Sequence, residues 1–326
     1  MKIALVLTVK NESRLLRNHL LYHKAIGVDR AFVYFDNTTD NGKESIADLN
    51  FVTISNSVPA ETYAHLDYLH KFTSQAIEHH TARQCLNAFD AQKICESEKI
   101  DWLISIDADE LITDGLEDSS NLKVFFQTVP KNIEVISFKT LEALQRRMHY
   151  KNVFAEETLF KFNRVAFYRY INNPFNSTKL KTNWWYGHEV GKSAIRISSD
   201  LIPHNVHHFI RKDGSKPLRR VAGYLLHYHI YDANDFIKKF KNFENHPNTF
   251  LSGNKVVELK LLLRDVVNKL NLNEDELKNY YKENILFGAI SIRKFKIGRR
   301  YLFFKIKPKP LGEIKSVQKT FETFIS

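Results

Sequence analysis

The sequence predicts an α/β protein built on a mostly parallel sheet that becomes mixed, with helices towards the C-terminus. Apolar runs of strand length alternate with helical stretches over the first half of the chain, and carboxylate-rich polar turns follow the strands. The chain has 326 residues, of which 43% are hydrophobic, so it can bury a sizeable core. An intrinsically disordered protein is therefore excluded.

The first sixty residues follow a strand, helix, strand order. Residues 3–9 form an apolar run of strand length, and residues 15–26 carry apolar side chains at helical spacing before Gly27 ends the helix. Residues 31–35 and 51–55 supply two more strands. This order implies a parallel sheet with right-handed crossovers.

A long helical stretch and a buried strand complete the first half. The helix is expected at residues 73–98 and the strand at residues 102–106. The strand ends in two aspartates, Asp107 and Asp109. Ligands of open α/β sheets bind at the C-terminal ends of the strands, so these carboxylates are expected to line a binding cleft.

The second half of the chain is less regular. Strands are expected at residues 133–139, 159–168, 193–197 and 206–210, and helices at residues 233–243, 255–270 and 274–287. We therefore expect the sheet to change to mixed pairing. The predicted organisation is a first domain at residues 1–230, a helical appendage at 231–290 and a basic tail at 291–326.

Cysteine usage and the N-terminus indicate a compartment. Cys85 and Cys95 have the spacing of neither a zinc site nor a redox pair, which favours a reducing environment. The apolar N-terminal stretch is too short for a signal peptide, and no window approaches the length of a membrane span. We expect a cytoplasmic protein.

The positive charge is concentrated in the tail. The whole chain carries a formal charge of +11, and residues 291–319 hold ten basic residues against one glutamate, with aromatic residues between them. Such a segment suits an anionic membrane surface or a polyanion, whereas the alternative is a solvated tail. Nucleic acid is not the partner that we expect.

Two carboxylates at the mouth of a buried strand suit a hard divalent cation. Asp107 and Asp109 offer oxygen ligands of the kind that Mg²⁺ or Mn²⁺ prefers. A cation there would offset the charge that builds on a departing diphosphate. Alone the motif is weak, but the preceding apolar strand favours a cleft over a surface loop.

Four motifs stand out together: Val9-Lys10-Asn11-Glu12, Gly27-Val28-Asp29, residues 34–40 and residues 101–110. They resemble the family-2-like glycosyltransferases with an A-type fold. The resemblance covers residues 1–115 and extends loosely to Gly191-Lys192-Ser193 and His227-Tyr228. It implies a glycosyltransferase A-type fold and a sugar transfer from a nucleotide-sugar donor.

The resemblance also implies roles for individual residues. Asp107 and Asp109 would hold the metal, with His227 as third ligand ahead of His207. Thr8, Lys10 and Glu12 would line the nucleotide end of the cleft, Asp36 would lie near the base or ribose, and Asp107 would also bind the nucleotide-sugar. Apart from the resemblance, Arg83 lies where a helix is able to present it to a phosphate, and a solvated arginine is the alternative. Asp36 is able to accept a hydrogen bond from a nucleobase N–H, which favours a UDP-sugar, although an Asp-Asn pair is also typical of a plain turn.

The acceptor side of the predicted site is less defined. The usual Glu-Asp pair of family-2 enzymes is not evident after the metal motif, and Glu142, Glu156, Glu157 and Glu189 are candidate bases. Glu189 is favoured because it follows Trp184 and Trp185, and aromatic rings stack on sugars. The two tryptophans are candidate acceptor-binding residues, or else core residues.

The leading interpretation is a metal-dependent hexosyltransferase that serves surface polysaccharide or lipopolysaccharide synthesis. Its acceptor would be a glycan or a lipid-linked sugar. A binding protein without activity on the same scaffold is the first alternative, but it has no need of paired aspartates behind a buried strand. A nucleotidyltransferase is the second, but the sequence has no glycine-rich phosphate loop.

Overall fold

The structure is a computed structural model that describes residues 1–162, 168–183, 190–198, 200–289, 292 and 311–323. The chain divides into two compact units. Unit 1 comprises Met1–Thr140, Glu189–Leu226 and Lys315–Ser326. Unit 2 comprises Leu141–His188 and His227–Ile314.

Unit 1 is built on a sheet whose centre is parallel. Its strands run in the order β6-β10-β4-β1-β2-β3, in which β1 is parallel to β2 and to β4, and β2 is parallel to β3. β10 is antiparallel to both β4 and β6. The strands are β1 (Ile3–Val9), β2 (Arg30–Phe35), β3 (Val52–Asn56), β4 (Trp102–Ser105), β5 (Glu110–Thr113), β6 (Val135–Ala143) and β10 (Ser193–Arg196).

Helices cover this sheet because each one has an apolar stripe. The helices of unit 1 are α1 (Ser13–Ala25), α2 (His70–Thr73), α3 (His80–Ser97), α4 (Leu122–Gln127) and α9 (Ser316–Glu322). One buried cluster joins α3 to the sheet and includes Ala88, Ala91 and Cys95 of the helix with Ala4 and Leu103 of the strands. β1 is buried along almost its whole length, as expected of a central parallel strand.

Three strands of unit 1 do not follow from a simple alternation of strands and helices along the chain. β13 (Arg219–His227) pairs with β5 and β6, and β11 (Leu201–Pro203) forms a hairpin with β12 (Phe209–Arg211). Gly223, inside β13, has a φ of +68° and lies against the Phe138 ring and the carbonyl of Thr113. A side chain at this position would be both strained and crowded.

Unit 2 contains short strands and three longer helices. Its elements are α5 (Val153–Glu156), β7 (Leu159–Lys161), β8 (Tyr168–Asn173), β9 (Thr178–Asn183), α6 (Ala233–Asn242), α7 (Glu258–Lys269), α8 (Glu274–Asn284) and β14 (Leu311–Glu313). β8 and β9 form a hairpin, and β7 is antiparallel to β14 and to the end of β6. Phe236, Leu263 and Tyr281 bring the three longer helices into one apolar core.

Side-chain hydrogen bonds fix the residue at which α8 begins. Asn273 accepts a hydrogen bond from the backbone N–H of Glu276 at 3.0 Å, and the Glu276 carboxylate accepts one from the backbone N–H of Asn273 at 2.8 Å. This reciprocal capping box satisfies two N–H groups at the helix terminus. Across the residues that the structure describes, no helix has the length and apolarity to cross a bilayer.

The predicted architecture, a mostly parallel sheet that becomes mixed, followed by helices, is confirmed. One helix differs from its prediction. In the stretch predicted at residues 73–98, only Thr73, the last residue of α2, and the residues of α3 from His80 to Ser97 are helical, since residues 74–78 form turns. Within the predicted tail, residues 311–323 contain β14 and α9, and residues 293–310 lie outside the described residues.

Candidate functional site

The turn after β4 carries the two aspartates of the predicted metal motif. Here Asp107 donates its backbone N–H to the Glu110 carboxylate at 2.8 Å, and Glu110 donates its own N–H to the carbonyl of Asp107 at 3.1 Å. Glu110 is fully buried and Asp109 is 8% exposed. The turn is therefore closed on itself, and it fixes both carboxylates at the edge where β4 ends.

Lys192 and Gln84 hold the side chain of Asp107. The Lys192 ammonium lies 2.9 Å from one carboxylate oxygen, and the Gln84 amide donates to the other. Burial alone would raise the pKa of Asp107, but the ammonium outweighs it and lowers this pKa to about 2. The same pair keeps the pKa of Lys192 above its usual value despite burial. Both groups are charged at neutral pH.

Helix α1 supports the turn through two buried histidines and a tyrosine. The Nε2 atom of His19 lies 2.8 Å from the carbonyl of Glu110, and Tyr22 donates to the carbonyl of Ile112 at 2.9 Å. His23 accepts from the backbone N–H of Ile112 at 3.3 Å. Burial lowers the pKa of His19 to about 4, so this ring is neutral at pH 7. The histidines thus fix the backbone and add no positive charge.

The loop that brings Lys192 to Asp107 depends on a glycine. Gly191 has a φ of +75°, and a Cβ there would lie 2.1 Å from the carbonyl oxygen of Phe138. The carbonyl of Gly191 also lies 2.9 Å from the Nδ1 atom of His207, and Ser193 donates to the carbonyl of His207 at 2.6 Å. His207, the second choice as metal ligand, is therefore bonded to the lysine loop.

A cavity of about 580 Å³ lies at the end of β2. Its lining includes Phe35, Asp36, Lys43, Asn56 and Arg83. Asp36 is 4% exposed, and the Arg83 guanidinium bonds both of its carboxylate oxygens, at 2.7 and 2.8 Å. This two-point pairing aligns the guanidinium plane with the carboxylate, and it fixes both side chains at the cavity wall.

Asn87, on α3, joins three segments beneath this cavity. Its amide donates to Thr8 at 2.9 Å and to Ser57 at 3.1 Å, and its oxygen accepts from the backbone N–H of Val58 at 2.8 Å. Asn87 is fully buried. Because β1 is parallel to both β2 and β4, the cavity and the aspartate turn lie at the same edge of the sheet.

The sequence-predicted nucleotide residues occupy this edge with contacts that the sequence did not reveal. Thr8 is bonded to Asn87, Lys10 is exposed, and the carbonyl of Glu12 accepts the first hydrogen bonds of α1. Asp36 and Arg83, predicted separately for base and phosphate, are paired with each other. Their nucleotide-binding roles stay predictions.

Unit 2 contains the predicted third ligand. His227 is 4% exposed, and its Nδ1 atom lies 3.1 Å from the Glu142 carboxylate. The ring of His229 lies 5.2 Å from that of His227. The Lys161 ammonium lies 3.9 Å from Glu142. Burial lowers the pKa of Lys161 to about 8 although Glu142 opposes this shift, so the lysine is mainly protonated at pH 7.

The predicted acceptor residues Trp184 and Trp185 and the predicted base Glu189 lie outside the described residues. Two other candidate bases have structural partners. Glu157 is bonded by Arg146 and Tyr150, and Glu156 is bonded by Arg147 and by the backbone N–H of Asn152. Both carboxylates thus have structural partners, and their roles as bases stay predictions.

A protein-family model for glycosyltransferase family 92 matches residues 7–254, which include the aspartate turn, the cavity and His227. The chain belongs to glycosyltransferase family 92. The resemblance to glycosyltransferases predicted from the sequence is confirmed.

Two curated plant relatives of this family 92 chain are known from Arabidopsis thaliana. Glycosyltransferase-like At2g41451 is 25% identical over 224 residues, which are 64% of this chain and 49% of the relative. Glycosyltransferase-like At3g57200 is 27% identical over 150 residues, which are 45% of this chain and 29% of the relative. The chain thus spans about half the length of the first relative and less of the second.

Solved structures with a similar arrangement are more distant. TarS 1–349 of S. aureus is 13% identical, with a TM-score of 0.35 over 94% of this chain and 76% of TarS. Glucosyl-3-phosphoglycerate synthase of Mycobacterium tuberculosis, solved with Mn²⁺, UDP and glucosyl-3-phosphoglycerate, is 14% identical. Its TM-score is 0.25 over 43% of this chain and 44% of the synthase.

Sequence reasoning missed the residues that hold the aspartates and His227 in place. Lys192 belongs to a segment that matches the family only loosely, and local patterns do not single out Gln84 or Asn87 as site residues. Gln84 is adjacent to Arg83 on α3, but nothing in the surrounding sequence indicates that its amide donates a hydrogen bond to the Asp107 carboxylate. Contacts of this kind join residues more than twenty positions apart. Local sequence patterns therefore do not predict them.

Proposed function

We propose that this family 92 chain transfers a sugar from a nucleotide-sugar donor, with a UDP-sugar favoured, to a hydroxyl of a glycan or lipid-linked acceptor. The observation that supports this most directly is the fixed aspartate turn at the end of β4. Asp107 is held by Lys192 and Gln84 in a conformation set before any ligand binds. A cavity large enough for a nucleoside lies at the same sheet edge.

The residues fit a divalent cation. Asp107 and Asp109 offer hard oxygen ligands, and His227 offers an imidazole nitrogen whose other ring nitrogen is already bonded to a carboxylate. We propose these three as ligands of Mn²⁺ or Mg²⁺. When bound, the cation would stabilise the negative charge of the departing nucleoside diphosphate.

The chain's own residues would bind and orient the donor. Lys192 is buried and charged beside Asp107, so its ammonium is suited to stabilise a diphosphate oxygen at the same place. Asp36 lines the cavity, and each of its oxygens can accept a second hydrogen bond beyond those from Arg83. Asp36 thereby retains the capacity to accept from a uracil N–H.

The acceptor side is proposed from the sequence. Glu189 would take the proton of the acceptor hydroxyl, and Trp184 and Trp185 would stack on the acceptor sugar. The acceptor class proposed is a glycan or a lipid-linked sugar of surface polysaccharide or lipopolysaccharide synthesis.

Thermal unfolding with nucleotides tests the proposed function. UDP is expected to raise the Tm in the presence of Mn²⁺ and to leave it unchanged with excess chelator, since binding to the folded state alone stabilises it. At one hundred times its Kd the stabilisation amounts to about 2.7 kcal/mol. ADP and GDP serve as controls for the base. Equal stabilisation by UDP with and without metal, or none by any nucleotide, would contradict the proposal.

We also propose that the basic tail holds the enzyme at an anionic membrane, where a lipid-linked acceptor is found. Each basic residue near such a surface contributes about 1 kcal/mol, and salt screens this attraction. Truncation is unsuitable as a test because β14 pairs with β7 and α9 packs on α1. Charge removal by glutamine substitution is the better design, at Arg293, Lys294, Lys296, Arg299 and Arg300.

This five-residue variant is expected to lose most sedimentation with phosphatidylserine vesicles at low salt while it retains nucleotide binding. A matched control removes five charges from exposed lysines elsewhere, at Lys99, Lys131, Lys151, Lys216 and Lys255. The control is expected to sediment nearly as well as the unmodified chain. Equal sedimentation of both variants would show that the tail is only a solvated segment.

A further inference from the structure

Unit 2 contains a cluster of buried polar side chains, and the proposed function gives a role to only one of them, His227. Its members are Glu142, Gln145, Lys161, His227 and His229, all at most 7% exposed. Glu142 and Lys161 are fully buried charged side chains, and such groups are rare unless they are paired. The cluster therefore calls for a reason beyond the packing of an apolar core.

The hydrogen bond between Glu142 and His227 sets the state of the imidazole ring. The carboxylate oxygen lies 3.1 Å from Nδ1, and an ionised carboxylate can only accept a hydrogen bond. Nδ1 therefore carries the hydrogen, and the neutral ring has its lone pair on Nε2. This is the tautomer in which Nε2 is able to ligate a metal.

Lys161 and Gln145 surround the Glu142 carboxylate and fix the neighbouring backbone. The Lys161 ammonium lies 3.9 Å from Glu142 and 3.4 Å from the Gln145 side-chain oxygen. Gln145 in turn donates to the carbonyl of His229 at 2.8 Å. The chain segment that carries His227 and His229 is thus bonded at two points, by Glu142 of β6 and by Gln145, which follows β6.

Burial rules Glu142 out as the base that activates the acceptor. Its side chain has no exposed surface and bonds His227, so an acceptor hydroxyl would have to displace that bond to reach it. When a histidine ligates a metal, a carboxylate that accepts a hydrogen bond from the other ring nitrogen orients the ring and increases its basicity.

We propose that Glu142 is a positioning residue that fixes the tautomer and orientation of His227 for metal binding, with Lys161 packed beside its carboxylate. This inference rests on the proposed function, because it requires His227 to be a metal ligand. Loss of such a partner typically weakens metal affinity by roughly 10- to 100-fold.

Two measurements on the full chain test the role of Glu142. Nitrogen-15 NMR of the histidine rings, with His227→Gln to assign the signal, reports the tautomer without metal. Titration with Mn²⁺ alone, followed by electron paramagnetic resonance, gives the affinity. Glu142→Ala is expected to lose the pure Nδ1–H form and to weaken Mn²⁺ binding by roughly 10- to 100-fold. Glu142→Gln is expected to keep the tautomer and to weaken binding less.

A matched control and a charge-balanced variant separate positioning from stability. Glu157→Gln removes another buried carboxylate of unit 2, one bonded by Arg146 and Tyr150, and is expected to leave Mn²⁺ affinity unchanged. Glu142→Gln with Lys161→Met avoids an unpaired buried ammonium, so it serves if the single variants fold poorly. It is expected to bind Mn²⁺ as weakly as Glu142→Gln.

The outcomes distinguish this inference from the proposed function. If the unmodified chain binds Mn²⁺ and Asp109→Asn or His227→Gln abolishes binding, the metal site stands. Unchanged affinity and tautomer in Glu142→Ala would then overturn the positioning role alone. If Mn²⁺ binding is absent or insensitive to Asp109→Asn, the proposed metal site itself fails, and this inference fails with it.

Discussion

Asp109→Asn is expected to reduce sugar transfer by roughly a thousandfold or more while the chain stays folded. The substitution removes a charged ligand, and a cation that stabilises the leaving diphosphate contributes several kcal/mol to the barrier. Initial rates with a UDP-sugar and saturating Mn²⁺ measure the effect, and circular dichroism reports the fold.

Asp107→Asn is expected to cause a similar loss of transfer and a larger loss of stability. Asp107 pairs with Lys192, which is 1% exposed, so the substitution leaves a buried ammonium with a weaker partner. Because 39% of the Asp107 side chain is exposed, water screens part of this penalty. Asp118→Asn, at an exposed carboxylate paired with Lys319, is the control and is expected to keep full activity. Wild-type rates in either metal-motif variant would contradict the metal role.

Gly191→Ala is expected to destabilise the protein by about 2 to 5 kcal/mol. A left-handed φ costs a non-glycine residue about 1 to 2 kcal/mol, and forcing a group into a packed region adds about 1 to 3 kcal/mol. The new Cβ would lie 2.1 Å from the carbonyl oxygen of Phe138, which is backbone and moves only with its strand. Urea denaturation measures the loss, and transfer is expected to fall too because Lys192 shifts.

A second glycine supplies the control for this prediction. Gly214 has a φ of +83°, but a Cβ there meets nothing within 4 Å. Gly214→Ala should therefore cost only the conformational part, about 1 to 2 kcal/mol. If the two variants lose equal stability, the contact with Phe138 contributes nothing and the argument for crowding at Gly191 is wrong.

The central strands were predictable because their burial is continuous. β1 lies in the middle of a parallel sheet, so it appears in the sequence as an uninterrupted apolar run. β4 is completely buried for the same reason. The helices α6, α7 and α8 were predictable from apolar spacing, and Asn273 marks the start of α8.

Strand β13 was not predictable from local pattern. It begins with exposed arginines, Arg219 and Arg220, and Gly223 interrupts its middle, so no alternation of apolar and polar residues develops. β5 was missed for another reason. Its first residue, Glu110, continues the acidic run after β4, which is typical of a polar turn, although Glu110 is fully buried and accepts a hydrogen bond from the backbone N–H of Asp107.

The ion pairs of the site were beyond sequence reasoning because they depend on tertiary packing. Asp36 and Arg83 are 47 positions apart, and Asp107 and Lys192 are 85 apart. Asp36, Arg83 and Asp107 each suggest a ligand contact when considered alone, and Lys192 does not. The structure instead pairs Asp36 with Arg83, so their effect on a nucleotide is expected to be joint and not additive.

The hydrogen bonds of Asn87 have a consequence for how a nucleotide enters the cavity. One side chain fixes Thr8 on β1, Ser57 after β3 and the backbone of Val58. Ser57 and Val58 line the cavity, so this part of its wall is held by hydrogen bonds within the chain, and little conformational entropy remains to be lost there when the ligand arrives. Discrimination between nucleotides on that side then depends on shape that already exists, and any induced closure has to come from other segments of the chain.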